Sequence, residues 1–88
     1  MQLTLAGQLW QRRALDSIVI NGKEQDGDCD HDAHIISVRR GQRARDELDT
    51  DLHEVLHAMF PHWREWFVER TANELTALLY DKLKYRRR

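Results

Sequence analysis

Cysteine is almost missing from this chain. A single thiol, Cys29, among 88 residues excludes an internal disulfide and fits a reducing compartment, so a cytoplasmic location is expected. Long apolar runs are missing too. No stretch approaches the length of a membrane span, and no membrane partner is expected. The opening residues carry no charged region followed by a long apolar run, so no signal peptide is expected. Net charge is small, −1, which argues against wholesale coating of nucleic acid despite basic stretches at residues 39–45 and 82–88. Internal repeats, linkers and low-complexity segments are absent. What is present is a globular composition, 41% hydrophobic and 33% charged, in a length that makes one domain near the small end for a self-sufficient core. A bound metal would help a core of this size.

The first forty residues read as a sheet. Leu3 and Leu5 alternate, Ala6-Gly7 can turn, and residues 9–15 complete a strand pair. Residues 17–20 form a short β-branched run closed by the turn dipeptide Asn21-Gly22. Residues 23–33 are acidic and read as a solvated loop. Their alternating aspartates lack the glycine and the distal bidentate acid of a calcium loop, since His31 and Ser37 occupy those places. Cys29 with His31 and His34 could bind a soft metal, but no scaffold is evident there. Residues 34–39 are the clearest strand, with Ile35, Ile36 and Val38, and Gly41 ends the run.

Two helices follow. Leu48, Leu52, Val55, Leu56, Met59 and Phe60 recur at helical spacing over residues 42–60, and Pro61 stops the run. A second helix is expected over residues 62–84, with Val68, Thr71, Ala72, Leu75, Leu78, Leu79 and Leu83 on one stripe. Trp63, Trp66 and Phe67 read as packing residues at its start. The expected fold class is therefore α+β: residues 1–41 form a small, mostly antiparallel sheet with an acidic loop, packed against these two helices.

The first helix contains His53-Glu54-Val55-Leu56-His57, an HExxH sequence. Histidines four apart stand one turn above the other on one helical face, a spacing that lets two imidazoles grip one zinc ion, with the intervening glutamate beside it. An amphipathic helix with two solvent-facing histidines has the same pattern. A zinc site needs a further protein ligand, and the second helix offers Glu65, Glu69 and Glu74. Glu65 and Glu69 share a line at the edge of the apolar stripe, whereas Glu74 points elsewhere.

HEVLH followed by Glu69-Arg70-Thr71-Ala72-Asn73 resembles the gluzincin branch of the zincin metallopeptidases, whose third ligand is a glutamate on the next helix. The plan is similar to the small IrrE/ImmA-like and SprT-like domains and to small phage-encoded proteins, over residues 34–80. The resemblance implies a minimal zincin-like fold. It implies His53, His57 and Glu69 as zinc ligands, with Glu65 the alternative third ligand, Glu54 as catalytic base, and Asn73 hydrogen-bonded to a ligand histidine. Thr50 fits the extended zincin pattern and Asp51 departs from it. His62 lies five residues after His57, one short of the metzincin spacing, and is not taken as a ligand. His31, His34 and Tyr80 are candidates for stabilising an oxyanion. The implied activity is zinc-dependent hydrolysis of a peptide bond with Glu54 as general base, the peptide or protein substrate adding to the strand at residues 34–39. The same ligands could instead hold zinc in a non-catalytic binding module. A nucleic-acid-binding role through Arg39, Arg40, Arg43, Arg45 and the terminal arginines ranks last.

Overall fold

A computed structural model describes residues 1–86. The fold is α+β. Six strands come first: β1 (Gln2–Leu5), β2 (Gln8–Leu15), β3 (Val19–Ile20), β4 (Lys23–Glu24), β5 (Gly27–Asp30) and β6 (Ile35–Arg39). Helices α1 (Ala44–Met59) and α2 (Glu65–Thr76) follow, and α2 runs into a π-helical segment, Ala77–Lys82. Among the described residues no helix is long and apolar enough to cross a membrane.

The main sheet has the order β1-β2-β6-β5. Its two outer pairings are antiparallel and the central β2–β6 pairing is parallel. β3 and β4 form a separate hairpin. Its turn is Asn21-Gly22, with φ of +53° and +76°, the left-handed pair that a two-residue hairpin demands.

One face of the sheet carries Trp10, Ile36 and Val38, which pack with Ala58 and Val55 of α1. The opposite side of α1 meets α2 through Leu52, Leu56, Val68, Ala72 and Leu75. α1 is thus a middle layer, held on both sides. A polar contact fixes its register on the sheet. Arg12 of β2 donates to both oxygens of Asp51 at 2.8 and 3.2 Å and to Glu47 at 3.1 Å. Asp51, the departure from the extended zincin pattern, is the anchor of this contact.

Three boundaries differ from expectation. Residues 23–33 are not one loop, because β5 lies within them, hydrogen-bonded to β6. Gly-Asp-Cys-Asp has little strand preference of its own, and pairing with the β-branched β6 overrides it. The strand at residues 34–39 has β2 on one side and β5 on the other, so its backbone is already paired and no substrate strand can add to it. The sheet's edges are β1 and β5, and β5 is the one whose residues line the cavities beside the histidines. Finally, α2 begins at Glu65 rather than at residue 62 and gives way to wider π turns after Thr76. Those turns shift the helical phase and leave Leu78 and Leu83 exposed, off the apolar stripe.

Candidate metal centre

Residues 60–64 make the corner between the helices. Pro61 blocks continuation of α1, Phe60 stacks on Trp63 at 4.2 Å, and the backbone at Arg64 is extended. Glu65 therefore occupies the first turn of α2, where the helix dipole favours a carboxylate. Its two oxygens reach back to α1. Oε1 lies 2.8 Å from His53 Nε2 and Oε2 lies 2.8 Å from His57 Nε2. The two Nε2 atoms are themselves 3.1 Å apart. Burial holds the His57 imidazole below its usual pKa, against the opposing pull of Glu65, which favours the neutral ring that binds metals.

This arrangement could hold a metal ion, and two imidazoles with a carboxylate are a donor set that zinc accepts. Tetrahedral bonds of about 2.0–2.1 Å place neighbouring donors roughly 3.3 Å apart. The two histidine nitrogens, 3.1 Å apart, need to open only by a few tenths of an ångström; the two 2.8 Å contacts run to different oxygens of Glu65, and one donor atom from each residue lies within 4.8 Å of the others. Among the described residues, His53, His57 and Glu65 are the group whose donor atoms converge in this way.

Glu54 sits beside the cluster, on the sheet side of α1. It is 7% exposed. Burial, and then the charges of Asp28 and Glu65, push its carboxyl up to about 8. The strand above comes very close. A Cβ at Gly27 would lie 2.7 Å from Glu54 Oε2 and 2.7 Å from Thr50 Cγ2, so only glycine lets β5 cover this part of the helix.

Two cavities meet at the cluster and form one trough beneath the edge of β5. Both are lined by Gln25, Gly27, His53, Glu54 and Glu65. One, of about 320 Å³, continues past Asp26, Asp49, Thr50, Glu69 and Asn73. The other, of about 380 Å³, continues past Asp28, Cys29, His31 and His57.

No protein-family model, curated protein or solved structure matches this chain. Its chemistry is read from its own residues.

The expected site residues divide accordingly. His53 and His57 come together, and Glu54 stands next to them. Of the two glutamates, Glu65 meets the histidines, while Glu69, one turn further along α2, lines the first arm of the trough. Asn73 does not reach a ligand histidine. With its amide nitrogen turned to Asp49, it donates to that carboxylate at 3.0 and 3.2 Å. His31 lines the trough. His34 does not, being stacked on Trp10 at 4.5 Å with Nδ1 against the Leu9 carbonyl. Tyr80 lines a separate hollow with Tyr85 and Arg86. Cys29 lies 3.8 Å from His31 and is half-buried. Burial, with Glu54, Asp28 and Asp30, pushes its thiol up to about 12. Gly27 and Asp49 escaped the sequence reading. A glycine opening an acidic segment was the available sign of a close backbone approach; nothing local marked Asp49.

Proposed function

We propose that the chain is a zinc-dependent peptidase domain of minimal zincin type, cytoplasmic in location. The observation that carries this reading is the convergence of His53, His57 and Glu65 beside a buried Glu54 that has no hydrogen-bond or ion-pair partner among the described residues. Zinc held by those three ligands would supply Lewis acidity toward a water molecule and a peptide carbonyl. Glu54 is placed to take a proton from that water and pass it to the leaving amine. Burial raises its pKa, and a cation held by the neighbouring ligands would draw it back toward the carboxylate that a base requires. β5 offers the substrate an open strand edge along the trough, and Gly27 gives it clearance at the catalytic residue. His31, across the second cavity from His57, is the candidate partner for the developing oxyanion.

Zinc-loaded protein should cleave a mixed peptide pool, read by mass spectrometry. Glu54→Gln should keep its zinc and lose cleavage by at least a hundredfold, since only the proton transfer is removed. Cleavage by Glu54→Gln at the wild-type rate would exclude this mechanism. A second reading has one observation in its favour. Cys29 lies in the same trough as the histidines, and a thiolate in the fourth position would close the site as a structural centre. Cobalt-substituted protein would then show a thiolate charge-transfer band that vanishes in Cys29→Ser. The nucleic-acid reading loses ground, because Arg39, Arg40 and Arg45 are ion-paired with Asp26, Asp16 and Asp81.

A further inference from the structure

The first arm of the trough has a chemistry that the metal centre does not need. Asp49 and Glu69 line it beyond Glu65, and neither forms an ion pair with a lysine or arginine among the described residues. Arg45 feels the charge of Asp49 at a distance but makes its ion pair with Asp81, at 2.9 Å. Asp49 is held in place by neutral donors: the amide of Asn73 and the hydroxyl of the fully buried Thr76 at 3.0 Å, whose one hydrogen is shared with the Ala72 carbonyl at 2.8 Å. These bonds orient the carboxylate and leave its charge intact. Among the described residues no lysine or arginine lines the arm, and Asp26 stands on its wall, paired with Arg39. Glu54, 7% exposed and with no hydrogen-bond or ion-pair partner among the described residues, faces the same space. A pre-oriented carboxylate, a second free carboxylate one turn beyond a metal ligand, and a cavity of about 320 Å³ form a socket for a positive group.

We infer that this arm receives a lysine or arginine side chain of the peptide substrate, next to the bond that is cleaved. The inference rests on the peptidase reading and names its substrate class. It also gives Glu69 a role: the residue binds the substrate's cation rather than the metal. The attraction is electrostatic and partly exposed to solvent, so it should weaken with ionic strength.

The test is equilibrium binding to zinc-loaded full-length Glu54→Gln protein, which holds substrate without turning it over. Fluorescence anisotropy would compare end-blocked peptides that differ only in carrying lysine, norleucine or glutamate at one position, scanned along the peptide. At one position lysine should bind at least tenfold more tightly than norleucine, and glutamate more weakly than either. The lysine preference should shrink in 0.5 M salt, a concentration at which the Debye length is about 4 Å. Adding Glu69→Gln or Asp49→Asn should erase the lysine preference while zinc content and norleucine-peptide affinity stay unchanged. Glu69 is exposed, so its variant should fold even if the Asp49 variant does not. Detectable binding without a lysine preference at any position would overturn this inference alone. Loss of zinc in Glu69→Gln would overturn it by making Glu69 a ligand. Binding of no peptide at all would overturn it together with the peptidase reading.

Discussion

Glu54 combines a charged side chain with a nearly dry position, and its titration follows from that conflict. In the metal-free protein its carboxyl is pushed up to about 8, from an ordinary value of 4.5. Between those values the folded state holds a proton that the unfolded chain has released. The contribution of this group to stability is therefore complete below pH 4.5 and is lost as pH rises through 8, at up to about 1.4 kcal/mol per pH unit. Urea unfolding in chelator from pH 5 to 8 should show wild type falling relative to Glu54→Gln, which has no such group. Parallel pH profiles would contradict the assignment. Gly27 makes the complementary point about space. Gly27→Ala puts a methyl group 2.7 Å from both Glu54 and Thr50, and overpacking of this kind costs about 1–3 kcal/mol. Denaturant midpoints would register the loss, and an unchanged midpoint would mean that β5 lies further from α1.

The sheet and α1 are joined by packing and by the ion pairs of Arg12 with Glu47 and Asp51. Arg12 and Asp51 are each only 13% exposed at the side chain. Removing the guanidinium takes away the two hydrogen bonds it donates to Asp51, at a cost of about 2–3 kcal/mol. Arg12→Ala should lower the midpoint of urea unfolding by a matching amount and also weaken metal binding, because α1 loses its register on the sheet. A change below 0.5 kcal/mol would show that packing alone suffices. At this scale much was legible in the sequence. Apolar spacing marked α1, β-branched residues marked β6, and the i, i+4 spacing put His53 beside His57. What could not be read depended on partners distant in the chain. β5 exists because β6 offers it a ladder. α2 starts at Glu65 because Phe60 and Trp63 stack across the corner. Those two facts left β5 rather than residues 34–39 as an edge strand and brought Glu65, instead of Glu69, against the histidines.

The whole molecule is three thin layers: sheet, α1, α2. The two apolar clusters are small, and a metal joining α1 to α2 would tie the outer helix to the rest. A ligand that binds only the folded state stabilises it by mass action, so zinc would contribute here to stability as well as to chemistry. The central claim is the identity of the three ligands, and zinc content reads it directly. Tag-free protein dialysed against trace zinc should carry one equivalent. His53→Ala and Glu65→Ala should lose it or bind it at least a hundredfold more weakly, while Glu69→Ala should retain a full equivalent. If Glu69→Ala loses the metal and Glu65→Ala keeps it, the third ligand lies one turn further along α2; if all three variants retain one tightly held zinc, the site is elsewhere and the account is wrong.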